Sequence, residues 1–300
     1  MTDLPAHAGP VPLTWHRAGE YVSLTKPRII ELLLVTTVPS MLLAAGGWPG
    51  TGLLAATVVG GALVSGSAHA TNMVMERDID AAMRRTAHRP IPSGRIAPRD
   101  ATVFAAVLLL VGTALMLAVA GVLAAALTVG AWVWYVGIYT WWLKRRSTQN
   151  IVIGGVAGAA PPLIGWAAVT GTVQAPALVL FAVVVLWTPT HFWALAIGTG
   201  TDYAKAGVPM LPSVQGPAAA ARHGAGYAAA TAVTAASLPL TGVGGVWLGV
   251  VLGVLGVVFV GSALRVVADP RPATSWRHFH TSNLYLAVLF VVVAVAALLP

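Results

Sequence analysis

Long uncharged apolar stretches dominate this 300-residue chain and limit the folds open to it. A helix needs about twenty apolar residues to cross the hydrocarbon core of a bilayer. In lipid, only helices and closed barrels satisfy every backbone hydrogen-bonding group. The stretches are continuous and rich in Ala, Leu, Val and Gly, which favours helices over alternating barrel strands. Only 9% of the residues are charged, against about 25% in soluble proteins. The sequence therefore predicts an all-α, polytopic membrane protein.

Nine apolar segments can be drawn along the chain, each long enough for one transmembrane helix. We expect residues 1–20 to form a cytoplasmic N-terminal tail and residues 21–300 to form a single transmembrane domain. Gly, Pro or charged residues separate the segments, which lie at about 28–46, 51–71, 101–119, 121–142, 150–170, 175–197, 220–240, 242–267 and 281–299.

The positions of the charges agree with this count. The 17 Lys and Arg residues fall before or at the start of segment one and on every second connection after it. The other four connections carry no charge. Basic loops mark the cytoplasmic side of a membrane protein, so the N-terminus is predicted inside and the C-terminus outside. Residues 1–20 are not typical of a signal or transit peptide. We therefore expect a multi-pass protein of a bacterial inner (cell) membrane.

The composition excludes several kinds of chemistry. Without cysteine the chain has no disulfide, thiolate metal site or cysteine nucleophile. A net charge of +8 can indicate nucleic-acid binding, but basic cytoplasmic loops explain it more simply. The expected surroundings are the lipid bilayer, with no nucleic acid as partner. Because the nine acids also lie in or beside the cytoplasmic parts, chemistry that needs charge is predicted at the cytoplasmic mouth of the bundle.

One segment, "NMVMERDIDAAMRRTAHRP" at residues 72–90, concentrates charge. Asn72, Glu76 and Asp80 recur at every fourth position and therefore lie on one helix stripe. Two carboxylates and an amide offer the oxygen ligands that suit Mg²⁺. Asp78 points away from the stripe and is expected to pair with an arginine. The alternative is an interfacial helix end with ordinary pairs such as Asp80 with Arg84.

Basic residues follow the acidic stripe and recur later in the chain. Arginine suits bidentate phosphate binding, so carboxylates beside arginines fit a magnesium–diphosphate group. The basic run in "YTWWLKRRSTQN", residues 139–150, is predicted on the same side and can cap the same diphosphate. The alternative is topological, since positive charges are expected here anyway, and we favour it for two arginines of the first loop. The candidate diphosphate ligands are Arg84, Arg85, Arg89 and Lys144, and the topological arginines are Arg95 and Arg99.

Two further residues stand out in "WTPTHFWALAIGTGTDYAKAGVPMLP", residues 187–212. His191 lies inside an apolar helix, where a lone histidine is more often a core residue than a ligand. Asp202 is the only acid between residues 101 and 268. It is a candidate ligand of a second metal ion, with an ordinary helix-end turn as the alternative.

Four stretches, in this order, resemble the protoheme IX farnesyltransferase (heme O synthase) family of the UbiA-type intramembrane prenyltransferases. The resemblance covers residues 21 to 216, and only general hydropathy extends it over the last third. The stretches are "YVSLTKPRIIELLLVTT", "NMVMERDIDAAMRRTAHRPIPSG", "YTWWLKRRSTQNIVIGGVAGAAPPLIGW" and "HFWALAI…DYAKAGVPMLP".

The resemblance implies nine transmembrane helices around a central cavity capped by cytoplasmic loops. It implies transfer of the farnesyl group of farnesyl diphosphate to the 2-vinyl group of heme b, which gives heme O. Mg²⁺ is the implied cofactor, and both farnesyl diphosphate and heme b are substrates. Heme O is converted further to heme A, so heme A synthase is a candidate partner.

The family's motifs also assign roles. The match gives Asn72, Glu76 and Asp80 the first metal-binding role and Asp202 the second. His191 matches the histidine of the family's "PHF" motif and is expected to face the heme. The family's basic diphosphate-binding positions fall on Arg84, Arg85, Arg89 and Lys144, with Lys26 or Arg28 of "LTKPR" as the contribution of the first helix.

The chain departs from the family's pattern at two places. Thr190 stands where the family usually has a second proline. Small residues precede "DY" where relatives usually carry a basic residue and an acid, which leaves Asp202 alone at the second metal site.

Two other functions fit parts of the sequence. A prenyltransferase acting on an aromatic quinone precursor would carry a similar acidic motif, although "RRTAHRP" and "LKRRSTQNIVIGG" favour the heme enzyme. A polytopic transporter would also have basic loops, but charges near the bilayer midplane would be expected. Here the midplane is uncharged.

Overall fold

A computed structural model describes residues 15–200 and 202–299 of the chain. The described part folds into helices α1 to α13, joined by short loops. In chain order the helices are Trp15–Leu24, Pro27–Ala45, Thr51–Met75, Arg77–Ala82, Pro98–Leu115, Gly121–Val133, Asn150–Thr170, Ala175–Thr199, Asp202–Lys205, Leu211–Gln215, Pro217–Ala236, Gly245–Ala268 and Pro272–Leu298. The predicted all-α fold is confirmed.

Two helices continue into π-helical turns. Helix α5 continues through Met116–Ala120, and α6 continues through Trp134–Leu143. Gly121 separates them with a φ of 87°, a left-handed conformation that glycine adopts without steric cost. This break divides an apolar stretch of 46 residues, Pro98–Leu143, which is long enough for two crossings of a bilayer.

Six of the described helical stretches are long and apolar enough to cross a membrane, by length and composition, and one of these is the divided stretch Pro98–Leu143. Two others, α2 and α11, have 19 and 20 residues, which is also the length of one crossing. Each of the nine predicted segments is mostly helical where the chain is described. The chain is a multi-pass membrane protein, and the count of nine crossings stays a prediction. Helix α1 runs through the predicted domain boundary at residue 20.

The helices pack in two connected groups. Helices α2, α7, α8, α11, α12 and α13 contact one another, while α3 packs against α5. The largest core cluster lies in the first group and includes Trp187, Phe259 and Phe290. Small residues allow α3 and α5 to pack closely. A Cβ on Gly112 of α5 would lie only 2.9 Å from the carbonyl oxygen of Gly60 on α3. Such close backbone approach is how helices pack in lipid, where no hydrophobic force joins them.

Candidate active site

The three residues of the acidic stripe keep their helical spacing although α3 ends within the stripe. Glu76 lies between α3 and α4 with a φ of −102°. Even so, the N–H of Glu76 donates to the carbonyl of Asn72 over 2.9 Å, and the N–H of Asp80 donates to the carbonyl of Glu76 over 2.8 Å. These bonds keep the helical spacing of the three residues. All three side chains are buried, with 1–2% of each residue exposed.

A basic side chain neutralises each carboxylate of the stripe. The Nζ of Lys144 donates to Glu76 Oε2 over 2.6 Å. One guanidinium nitrogen of Arg89 donates to both oxygens of Asp80 over 2.8 Å. The alternative pairing of Asp80 with Arg84 is not formed. Two of the predicted diphosphate ligands therefore lie directly beside the predicted metal ligands.

A third basic side chain, that of Lys26, contacts the amide of Asn72. Lys26 Nζ donates to Asn72 Oδ1 over 3.0 Å, and Asn72 Nδ2 donates to Thr140 Oγ1 over the same distance. Lys26 has a φ of 52° and is the only described non-glycine residue with positive φ, a strained conformation that often marks functional sites. Burial and the charge of Arg89 lower the pKa of Lys26 to about 7.

Lys144 is held in its charged form. Burial alone disfavours the charge, but Tyr139 and Glu76 outweigh it and raise the pKa of Lys144 above its ordinary value. The ammonium nitrogen lies 5.6 Å from the centroid of the Tyr139 ring, within reach of a cation–π interaction. Lys144 therefore stays positive at neutral pH.

The stripe has one oxygen left for a further ligand. Glu76 Oε1 is buried and has no hydrogen-bond partner among the described residues, although buried polar atoms are normally paired. Within the described part of the chain, no group of three or more His, Cys, Asp or Glu side chains is placed to hold a metal. Two carboxylates and an amide oxygen still fit Mg²⁺, which takes one or two carboxylates and completes its shell with phosphate and water.

Asp78 lies outside the stripe, as its helical phase predicts. Arg145 donates to both of its oxygens over 2.7 Å. The hydrogen bond from Arg145 lowers the pKa of Asp78 to about 2. This pair is exposed, so it ties the 145 region to α4 without joining the buried site.

Four other basic residues named in the sequence analysis are either exposed or paired with a residue outside the stripe. Arg28, Arg84 and Arg85 are exposed, whereas Lys26, just before α2, contacts Asn72 of the stripe. Arg95 pairs with Glu20 of α1 over 2.8 Å, which agrees with a structural role for Arg95.

The π-helical end of α6 brings aromatic side chains and Thr140 to the site. Tyr135 and Tyr139 lie with their ring centroids 5.4 Å apart. The Tyr139 ring lies so close to the backbone of Gly154 on α7 that a Cβ there would overlap it. π-helical turns often occur at functional sites, and here the segment carries Thr140, which contacts Asn72, and Tyr139, which lies beside Lys144.

A cavity of about 510 Å³ opens beside the stripe. It lies between α1, the end of α3 and the loop after α4, rather than deep in the bundle. Lys26 and Arg89 are in its wall and are also bonded to the stripe. The other lining residues are Gly19, Glu20, Ser23, Met73, His88, Pro90 and Arg95.

Asp202 begins the short helix α9, but its side chain lies outside the described residues. The neighbouring Tyr203 is buried in an apolar cluster with Ile79 and Met83 from the α4 region. The start of α9 is therefore packed against the segment that carries the first acidic motif, and the metal-binding role of Asp202 stays a prediction.

His191 lies apart from the stripe, between α8 and α13. Its ring is stacked between Trp187 and Phe279, with centroid distances of 4.2 and 4.5 Å. His191 Nδ1 forms a hydrogen bond of 2.7 Å with Ser282 Oγ. One nitrogen is thus fixed by the core, and Nε2 is the nitrogen that a ligand can use.

Sequence reasoning missed two residues near the stripe. Thr140 lies within the stretch "YTWWLKRRSTQN", but it is uncharged, and attention fell on the basic residues that follow it rather than on its hydroxyl. His69 lies three positions before Asn72 on α3, which is helical spacing, and that signal could have found it. Both are buried.

Comparison with known proteins gives the family. Residues 33–298 match the UbiA prenyltransferase family. Protoheme IX farnesyltransferase 1 of Saccharopolyspora erythraea is 48% identical over 98% of this chain and 96% of its own length. Protoheme IX farnesyltransferase of Trichodesmium erythraeum is 46% identical over 93% of this chain and 86% of its own length.

Solved structures have the same fold. A digeranylgeranylglyceryl phosphate synthase aligns with a TM-score of 0.78 at 18% identity, covering 94% of this chain and 99% of the other. A UbiA homolog from Archaeoglobus fulgidus, bound to DMAPP and Mg²⁺, aligns with a TM-score of 0.64 at 15% identity, covering 92% and 99%. Membership of an enzyme family decides against the transporter alternative. The acidic stripe, its three cations and these relatives together identify the chain as a transferase of the UbiA prenyltransferase family, grouped with the protoheme IX farnesyltransferases.

Proposed function

We propose that this protein transfers the farnesyl group of farnesyl diphosphate to the 2-vinyl group of heme b and so forms heme O. The observation that carries the proposal is the near full-length similarity to relatives named for this reaction. Both the prenyl donor and the heme are substrates. The bundle suits them because a farnesyl chain and a porphyrin are apolar and partition into lipid.

The diphosphate would be bound by the three basic side chains that contact the stripe. Lys26, Arg89 and Lys144 converge within hydrogen-bonding distance of the three stripe residues. When the diphosphate enters, these cations turn from the stripe to the phosphate oxygens. The exposed Arg28, Arg84 and Arg85 are proposed as outer contacts that attract the substrate to the mouth.

The same exchange frees the stripe for Mg²⁺. Asn72, Glu76 and Asp80 would hold the ion, and Asp202 would serve a second one. The unpaired Oε1 of Glu76 supports this role. Bound Mg²⁺ supplies positive charge that neutralises the diphosphate.

The reaction begins when the bond between C1 of the farnesyl group and the diphosphate oxygen breaks. Lys26, Arg89 and Lys144 stabilise the negative charge that grows on the diphosphate. They lie in a largely buried site, where such charges act more strongly than in water. The allylic cation is attacked by the vinyl group of the heme, and water then quenches the porphyrin-side cation to leave a hydroxyethylfarnesyl group.

His191 is proposed to face the heme. Its Nδ1 is bonded to Ser282, which fixes the ring and leaves Nε2 for the iron or a heme substituent. The stacked rings of Trp187 and Phe279 form a flat apolar wall beside it. Replacement of His191 by Ala should therefore weaken heme b binding, as measured by absorbance titration. Unchanged heme binding and turnover would remove this role.

We also propose that the charged end of the bundle faces the cytoplasm of a bacterial cell, with the protein in the inner membrane. The clustering of basic loops at the site supports this orientation. Heme A synthase is the candidate partner that receives heme O.

The test is a transfer assay with the purified full-length protein, heme b, farnesyl diphosphate and Mg²⁺. Mass and absorbance spectra of the porphyrin identify the product. Glu76→Ala and Asp80→Ala should abolish transfer because both remove a buried oxygen ligand. Asp78→Asn is the matched control, since it changes a carboxylate of the same segment that is exposed and outside the stripe.

The same assay, run with an aromatic quinone precursor added beside heme b, separates the two acceptors. Farnesyl transfer to an aromatic quinone precursor, with heme b left unmodified, would favour the quinone-pathway alternative. Wild-type rates in Glu76→Ala and Asp80→Ala would contradict the metal-site assignment.

A further inference from the structure

His69 is a buried histidine that no part of the proposed reaction yet uses. It lies on α3 with 6% of its surface exposed. Neither of its ring nitrogens has a hydrogen-bond partner in the described part of the chain. A neutral imidazole carries one donor and one acceptor, and buried groups of this kind are normally paired. An unpaired, buried imidazole is therefore available to a ligand.

The position of His69 relates it to the acidic stripe. It precedes Asn72 by three residues on α3, so the two side chains lie at neighbouring positions on one side of that helix. Along the axis of α3 it lies about 4.5 Å farther than Asn72 from the end that carries the stripe. The groups that bind diphosphate are at the charged end, so His69 lies on the side where the carbon atoms of the substrate would lie.

The surroundings of His69 are aromatic on one side and basic on the other. The Tyr135 ring contacts it edge to face, with centroids 5.4 Å apart. Lys26 and Arg89 are the charged groups close enough to act on it. Tyr135 in turn contacts Tyr139, which lies by Lys144. A neutral imidazole at this position offers one ring nitrogen that can accept a proton.

The proposed reaction needs such a base. The electron pair of the C1–O bond leaves with the diphosphate, and C1 bonds to the terminal vinyl carbon. Positive charge then develops on the vinyl carbon attached to the porphyrin ring. When a water oxygen bonds to that carbon, one proton must leave the water. We propose that His69 is the catalytic residue that orients this water and accepts its proton at the unprotonated ring nitrogen. This inference rests on the proposed function.

The test compares two buried histidines in the full-length protein. His278 is the matched control because both of its nitrogens are bonded, to Thr190 over 2.9 Å and to Ser262 over 2.7 Å. His69→Leu and His278→Leu are assayed with heme b, farnesyl diphosphate and Mg²⁺. Diphosphate release, the mass of the porphyrin product and thermal unfolding are measured for each.

For His69→Leu we expect diphosphate release to continue, while hydroxylated product forms about a hundredfold more slowly. The cation then loses a proton from carbon and gives a porphyrin lighter by one water, or the farnesyl cation is lost as farnesol. The unfolding temperature should stay the same or rise, since an unpaired polar group has been removed. His278→Leu should unfold at a lower temperature and keep the hydroxylated product.

Hydroxylated product at the wild-type rate from His69→Leu would overturn the inference, and so would an equal loss of diphosphate release and product. If His69→Leu does not fold, His69→Gln keeps the polar contacts without a basic nitrogen, and the same outcomes decide. A wild-type protein that releases diphosphate but never farnesylates heme would overturn the proposed function itself, which is a separate result.

Discussion

The pair formed by Lys144 and Glu76 offers the sharpest test of the site. The two atoms are 2.6 Å apart, and their side chains are 15% and 3% exposed. At an effective dielectric constant of about 20, the attraction amounts to about 6 kcal/mol. Removal of both charges from water offsets most of it, so the intact pair contributes little net stability.

Breaking the pair has a much larger effect than its net contribution. Lys144→Met leaves the Glu76 carboxylate buried without a counter-charge, and its Oε1 already has no partner among the described residues. A buried charge left in this way lowers the free energy of unfolding by about 3–5 kcal/mol. Glu76→Gln should lower it less, because the Lys144 ammonium is the more exposed partner and can reach water.

The assay is a double-mutant cycle in detergent, without Mg²⁺ or diphosphate. The free energy of unfolding is measured for the wild type, Lys144→Met, Glu76→Gln and the double variant. We expect the double variant to be more stable than Lys144→Met, with a coupling energy above about 1 kcal/mol. Additive effects within about 0.5 kcal/mol, or a Lys144→Met variant as stable as the wild type, would refute the reasoning.

Three further predictions concern single positions. Because burial lowers the pKa of Lys26 to about 7, the unfolded chain binds the extra proton above that pH. The free energy of unfolding should therefore rise as the pH increases from about 7 towards about 10. Lys26→Met should remove this pH dependence. Asp78→Asn breaks an exposed pair and should lower stability by less than about 1 kcal/mol. The pKa of Asp78 is lowered to about 2, so the stability that this pair contributes is lost only as the pH falls through that value. The difference in melting temperature between the wild type and Asp78→Asn should therefore be the same at pH 7 and at pH 5. Gly154→Ala pushes on the Tyr139 ring and should reduce both stability and transfer, whereas Gly158→Ala, which meets open space, should change neither.

The acidic stripe was predictable because it depends on one segment. Helical period fixes which of Asn72, Glu76, Asp78 and Asp80 share a face, and the short-range backbone bonds keep that period even where α3 ends. Helical period also placed Asp78 outside this face, which predicted that it pairs with an arginine. Which arginine it pairs with was not predictable, because Arg145 is distant in sequence and the i,i+4 rule says nothing about it.

The partners of the stripe show the limit of sequence reasoning. Lys144 and Arg89 stood out by charge, yet the pattern treated Arg84 and Arg85 as equal candidates. The fold separates them, since the loop after α4 turns Arg89 inward and leaves the other two in solvent. Side-chain burial depends on how loops return to the bundle, which local composition does not encode.

By itself, the sequence determined the all-α membrane architecture and the helical spacing of the stripe residues. These follow from hydropathy and helical period, which are local properties. Only the tertiary structure decided that Lys26 rather than Arg28 contacts the stripe, that Lys144 and Arg89 neutralise its two carboxylates, and that His69 is buried with no hydrogen-bond partner among the described residues. Those outcomes depend on contacts between α3, the loop before α2 and the π-helical end of α6, which are set by packing between segments far apart in the chain.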